Sequence, residues 1–172
     1  LPAILLVTLL LRWIPVFVQI RPQGNPDAAD YREFGLGLAQ GRGYGYKPGN
    51  QKTLLATIRD RQPYGQQEWV PTALRPPGYP IFLAAIFLIT ENRTFVLLIQ
   101  GLLGLASVFF LFRAAQCLSN RRAAHVTAMA AAIYPFFIYF CLEELSEGLF
   151  VTLLSALLWT LGSWIEKKSL EK

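Results

Sequence analysis

Charge is scarce in this 172-residue sequence: Asp, Glu, Lys and Arg make up 16% of it, while 53% is hydrophobic. An ordinary soluble domain carries about 25% charge. There are only two cysteines and one histidine. Two cysteines in apolar surroundings exclude a disulfide scaffold and show no metal-ligand spacing. No Ser/His/Asp or Cys/His constellation can be assembled, because the one histidine, His125, lies toward the expected cytoplasmic side. The net charge of +5 is dispersed along the chain, so no basic nucleic-acid footprint exists. Internal repeats and low-complexity tracts are also missing.

What is present is long uncharged runs. Phe95–Phe112, Ala123–Leu142 and Gly148–Ile165 contain no Asp, Glu, Lys or Arg, and Leu1–Ile20 contains only Arg12. Each has about the length of a bilayer-spanning helix, roughly 17–25 residues. The expected class is therefore an all-α membrane protein with about four transmembrane helices. The spans are expected at 1–20, 95–112, 123–142 and 148–165. The first is not a cleaved leader, because Val18-Gln19-Ile20-Arg21 lacks a small-residue cleavage pattern. The chain opens inside an apolar run and closes just after a span, so it reads as the front portion of a longer membrane domain.

Basic residues set the sides. Arg113, Arg121 and Arg122 follow the second run, and Lys167, Lys168 and Lys172 follow the fourth. Glu143, Glu144 and Glu147 lie between the last two, where there is no Lys or Arg. The Arg121 loop and the C-terminal end are thus expected inside, and the Glu147 turn outside. Parity then requires that Pro76–Thr90 not span. Its helix-competent part, Tyr79–Thr90, would rise only about 18 Å. Residues 21–94 become one outer loop, with juxtamembrane helices at 26–40 and 79–90.

Within that loop Asn25 suits an N-cap, Pro26 the first helical position and Gly41 the stop. Asp27 falls in the first turn, where free backbone N–H groups favour negative charge. Asp27, Asp30 and Tyr31 share a face by i, i+3, i+4 spacing. Asp27 is a candidate base or cation ligand, or simply a helix-capping acid. Arg75, in Leu74-Arg75-Pro76-Pro77-Gly78-Tyr79-Pro80, suits a phosphate at headgroup depth or plain interfacial anchoring. Glu143 and Glu144 read as solvated acids, and Glu147 caps the helix after it. Arg12 sits roughly 12 Å below the outer end of its helix; intramembrane charges are often functional, and snorkelling is the alternative. Arg93 reads as an anchor, and Gln100 as a polar residue inside a span. Gly41-Arg42-Gly43-Tyr44-Gly45 fails as a dinucleotide fingerprint, and Asn92-Arg93-Thr94 matches only a glycosylation triplet.

The order of these pieces carries a resemblance. An apolar helix precedes Asp27-x-x-x-Tyr31 and Leu38-Ala39-Gln40-Gly41-Arg42-Gly43-Tyr44. Arg75-Pro76-Pro77-Gly78-Tyr79-Pro80, Tyr134-Pro135 and Ser146-Glu147-x-Leu149-Phe150 follow. This resembles the N-terminal part of membrane-embedded GT-C glycosyltransferases. The bacterial branch related to protein O-mannosyltransferases, lipid A aminoarabinose transferase and rhizobial lipopolysaccharide core transferases is the nearest pattern. The resemblance implies an inverting transferase that takes a sugar from a polyprenyl-phosphate donor. The acceptor hydroxyl, on a lipid, glycan or protein, would be activated by Asp27 at the periplasmic face of a bacterial inner membrane. It further implies Arg75, Tyr31, Arg93 and, more remotely, Arg12 as donor-phosphate or substrate contacts, with Asp30 and Glu147 as second acids.

Two departures stand out. A Glu-Lys pair before the double proline in the aminoarabinose enzymes is Leu74-Arg75 here, and the second acid of an Asp-Glu pair is Ala28. No cofactor is called for; a divalent metal fits the family but is not indicated. The later spans and late outer loop of such enzymes lie beyond this chain, so the portion alone need not be active. The alternatives are a transport or flipping component, disfavoured by the few polar residues at midplane, and a non-catalytic envelope scaffold.

Overall fold

The structure is a computed structural model and describes residues 1–20, 25–47 and 69–171. Pro48, Gly49 and Pro63, which the sequence offers as turn formers, lie outside the described residues, as does Lys172.

Seven helices are described: α1 Pro2–Phe17, α2 Pro26–Ala39, α3 Gly78–Phe87, α4 Arg93–Leu118, α5 Arg121–Ile133, α6 Pro135–Tyr139 and α7 Ser146–Leu170. They are joined by a two-stranded antiparallel ribbon, β1 Gly45–Tyr46 with β2 Val70–Pro71. Among the described residues two helices are long and apolar enough to cross a membrane, Arg93–Leu118 and Ser146–Lys168. α1 and α3 are apolar but shorter; sixteen residues rise about 24 Å, against a hydrocarbon core near 30 Å.

The chain divides into two compact units. The first comprises Leu1–Ile20, Leu97–Leu142 and Ser146–Lys172. Its core sets Ile4 of α1 with Val108 and Phe112 of α4 and the alanines Ala124, Ala128, Ala131 and Ala132 of α5. Small side chains let helices approach closely, as membrane helices do. Ser107 and Thr152 join α4 to α7 by a hydroxyl–hydroxyl bond of 2.8 Å. Leu6, Leu10, Ile14 and Phe17 of α1 are exposed, as are Phe150, Leu153, Leu157, Leu161 and Trp164 of α7. Such stripes would be an aggregation hazard in water and are what lipid accommodates.

The expected single helix over Ala123–Leu142 is instead two. Tyr134 is extended (φ −63°, ψ 119°) between α5 and α6, because a residue before proline is driven from the helical region. Pro135 has no N–H to offer Ala131. The orphaned end of α5 is filled by Arg12, whose guanidinium donates to the carbonyls of Ala132 (3.2 Å), Ala131 (3.4 Å) and Thr8 (3.1 Å). Arg12 is thus 1% exposed and does not snorkel. A cation at a helix C-terminus is also favoured by the aligned peptide dipoles.

The second unit comprises Arg21–Val96 and Glu143–Leu145. Here α2 packs along α3. Phe34 and Leu83 are fully buried, and Tyr31 meets Tyr79 edge-on at 5.1 Å. Gly35 permits the approach, since a Cβ there would meet Leu83 at 2.9 Å and Phe87 at 3.0 Å. α2 begins as its sequence predicts, with the Asn25 side chain accepting from Asp27 N–H at 2.9 Å. It ends at Gly41 (φ +70°), with Arg42 N–H donating to Gly37 at 2.9 Å, a glycine-terminated Schellman stop. The β1–β2 ribbon has no counterpart in the sequence expectations; two-residue strands are too short to show a period of two.

Candidate functional site

In the second unit the Asp27–Asp30–Tyr31 face of α2 meets the proline-rich element. Arg75 Nη2 pairs with Asp27 Oδ1 and, at 3.2 Å, with Asp30 Oδ2; its Nε also donates to Asp30 at 3.4 Å. One guanidinium therefore holds two carboxylates. They differ in access: the Asp30 side chain is fully buried, while that of Asp27 is 43% exposed. The Arg75 guanidinium also lies 5.7 Å from the Tyr31 ring centre. The Tyr44 hydroxyl donates to the Arg75 carbonyl at 2.7 Å, pinning the backbone from which the side chain projects. Burial pushes the Tyr44 phenol up to about 12, with Tyr31 adding to the effect and Arg75 opposing it. The phenol keeps its proton and serves as a donor. Burial pulls the Arg75 guanidinium down, but Asp30 and Asp27 together outweigh it and the net shift is upward.

The adjacent face of α2 carries a second set of charges. Arg32 Nη1 pairs with Glu144 at 2.6 Å, and Arg93 Nη2 with Glu143 at 2.7 Å. Arg32 also donates to the Glu91 carbonyl at 2.5 Å and lies over Phe87. Both glutamates are only 2% exposed, so the expectation of solvated acids is corrected. An acidic doublet abutting the apolar Phe136–Leu142 needs counter-charges from elsewhere, and that was the readable signal. Burial raises the Glu143 carboxyl above the ordinary range, opposed by Arg93. Burial likewise raises Glu144, opposed by Arg32 and Arg93, with Glu143 adding to the rise. These four residues, with Asn25, Ala28 and Ala29, line an open cleft of about 510 Å³.

The remaining predicted residues belong to the first unit. Arg12 is held by helix carbonyls in the first unit. Glu147 stands in the first turn of α7, in the same unit, accepting from Ser146 Oγ at 3.2 Å. Gln100 donates to the Phe140 carbonyl at 2.8 Å. Among the described residues no three His, Cys, Asp or Glu side chains gather as a metal site. Arg75 and Asp27 are close neighbours, which sequence reasoning named separately without pairing them. Arg32 and Tyr44 it did not single out as members of a site, and Glu143 and Glu144 it named with Glu147 but read as solvated.

No curated protein and no solved structure matches this chain. The protein-family model described as dolichyl-phosphate-mannose-protein mannosyltransferase does match, over residues 74–172. The matched stretch is more than half of the sequence and opens one residue before Arg75; Asp27 precedes it. The chain therefore belongs to the dolichyl-phosphate-mannose-protein mannosyltransferase family, whose members are GT-C-type glycosyltransferases of membranes that draw on a polyprenyl-phosphate sugar donor.

Proposed function

We propose that the chain transfers a sugar, with inversion, from a polyprenyl-phosphate donor to an acceptor hydroxyl at the outer face of the membrane, with Asp27 as the general base. The single observation that supports this is the Arg75 fork between a reachable Asp27 and a buried Asp30. In the reaction the acceptor oxygen attacks the anomeric carbon as the carbon–oxygen bond to phosphate breaks. The phosphate leaves with the bonding electron pair, and the hydroxyl proton passes to Asp27. Asp27 then loses its charge, and Arg75 keeps only Asp30. The guanidinium nitrogen released from Asp27 is free to donate to the leaving phosphate, where fixed donors contribute most to rate.

Asp30 is read as the anchor that keeps Arg75 in place through the cycle, and Tyr31 as the ring against which Arg75 lies. Arg93 is a second phosphate contact in reserve, since using it means parting it from Glu143. Arg12 and Glu147 receive no role in the step. Four spans, a periplasmic active face and a bacterial inner membrane belong to the same proposal, as does an acceptor in the cell envelope.

The test is Asp27→Asn in the gene expressed in its own membrane. Label transfer from the polyprenyl-phosphate donor should fall by about 10²–10⁴, with the protein still present at its usual level. Unchanged transfer would remove Asp27 from the chemistry.

A further inference from the structure

One end of the first unit gathers cations that the sugar-transfer reading does not use. Helices α4 and α7 run parallel there: Ser107 meets Thr152 at 2.8 Å and, further along both helices, Cys117 meets Ser163 at 3.7 Å. Gly162 keeps them close, since a Cβ there would meet Cys117 and Leu118 at 3.3 Å. Their C-terminal ends therefore lie together, and α5 opens directly after α4 stops. Arg113, Arg121, Arg122, Lys167 and Lys168 stand at this end, all exposed. Glu166 and Glu171 are the acids near them in sequence, yet among the described residues none of the five cations forms an ion pair.

Arg113 differs from the other four because it caps an apolar stripe. Leu102, Ala106, Phe109 and Arg113 follow one another at helical spacings of three and four and share one flank of α4. Leu102 is exposed, and Ala106 and Phe109 are half-buried. On one side of this flank Phe112 meets His125 of α5, with ring centres 5.1 Å apart. On the other Phe110 stacks on Trp159 of α7 at 5.5 Å. The Arg113 guanidinium lies over the same Trp159 ring, 5.6 Å from its centre, and Phe109 meets that ring edge-on at 6.0 Å. An indole face attracts a guanidinium without using any of its N–H donors. Arg113 is thus held in place with its fork open to an acceptor.

The flank fits a molecule with an anionic head and an apolar tail. A soluble phosphate would leave Leu102, Ala106 and Phe109 uncovered, and hydrocarbon alone would leave Arg113 unmet. A zwitterionic lipid would bring its own cation to an end where cations already stand unopposed. The length agrees: Leu102 to Arg113 rises about 16 Å, close to half of a hydrocarbon core near 30 Å, which is one leaflet. We propose that this flank binds an anionic diacyl phospholipid, with the phosphate on Arg113 and an acyl chain along Phe109, Ala106 and Leu102. Arg121 and Arg122 add attraction at headgroup level. This site stands or falls apart from the reading of Asp27.

The experiment titrates dioleoyl phosphatidylglycerol and dioleoyl phosphatidylcholine separately into the 172-residue chain in detergent and follows bound lipid by native mass spectrometry. The anionic lipid should bind more tightly, by about tenfold. Arg113→Gln, a change at an exposed side chain, should abolish that preference. Lys168→Gln should preserve it, because Lys168 lies over Trp164 and both sit roughly 140–180° round α7 from Trp159. Glycerol 3-phosphate at equal concentration should not displace the lipid. Equal binding of the two lipids overturns the proposal. So does an equal loss in Arg113→Gln and Lys168→Gln, which marks diffuse charge attraction. Displacement by glycerol 3-phosphate overturns it as well, since the site then takes a soluble anion.

Discussion

The two units hold their arginines in different ways, one fully buried and three partly exposed. In the first, Arg12 is met by the carbonyls of Thr8, Ala131 and Ala132, with no carboxylate among its hydrogen-bond partners in the described residues. In the second, Arg32, Arg75 and Arg93 each meet at least one carboxylate. Carbonyl dipoles fixed in a broken helix have no other state to adopt. A carboxylate can take a proton or let its cation go, and so can take part in a reaction. The contrast explains why the arginine with the most costly surroundings is not the one assigned to chemistry.

The hardest way to break the comparison is to strand a carboxylate. Arg75→Gln leaves the fully buried Asp30 without its guanidinium, and removing one partner of a buried pair costs about 3–5 kcal/mol. Thermal unfolding in detergent should show this, and Arg75→Gln with Asp30→Asn should recover most of it. A single variant as stable as the parent would mean that the pair does not hold the second unit.

Arg12→Met tests the other solution. It leaves the carbonyls of Ala131 and Ala132 unmet, at about 1–3 kcal/mol each, while removing a desolvated charge, for a net loss of about 2–4 kcal/mol. The proline is the cause, so Pro135→Ala should restore an N–H to Ala131 and shrink that loss. The coupling should reach about 0.5–3 kcal/mol in a double-mutant cycle. Additive losses would show that Arg12 and the helix break are independent.

A packing change separates the units more finely. A Cβ at Gly104 would run into the Arg12 side chain and meet Cys141 Sγ at 2.9 Å; one at Gly35 would meet Leu83 and Phe87. Overpacking costs about 1–3 kcal/mol, so Gly104→Ala and Gly35→Ala should both destabilise. Only the first should be relieved in the Arg12→Met background.

Local features were readable from the sequence and long-range ones were not. Asn25, Pro26 and Gly41 fix both ends of α2 through nearest-neighbour chemistry, and the structure ends the helix within one residue of the expected boundary. Tyr134-Pro135 was visible as a dipeptide, yet the uncharged run around it read as one span because composition does not register a missing N–H. The pairs Arg75–Asp30, Arg93–Glu143 and Arg32–Glu144 join residues 45, 50 and 112 positions apart. No periodicity encodes such separations. Glu147, a first-turn acid, carries a local signature, whereas the partners of Glu143 and Glu144 come from elsewhere in the chain.

The smallest effect is in pH dependence, and it too divides the units. Arg12 is met by backbone carbonyls, which have no proton to gain or lose. Glu143 and Glu144 are raised above the ordinary carboxyl value by burial, against the pull of Arg93 and Arg32. A raised folded-state value means that the folded chain binds the proton more tightly than the unfolded one. The resulting stabilisation is fully present below the unfolded carboxyl value and is lost as pH rises through the folded one. Between pH 8 and pH 5, melting of the parent should therefore move upward relative to Glu143→Gln with Glu144→Gln, by no more than about 4 °C. A parent that instead melts lower in acid, relative to the double variant, would mean that the ion pairs outweigh burial. The cleft would then hold its charges as firmly as the first unit holds Arg12.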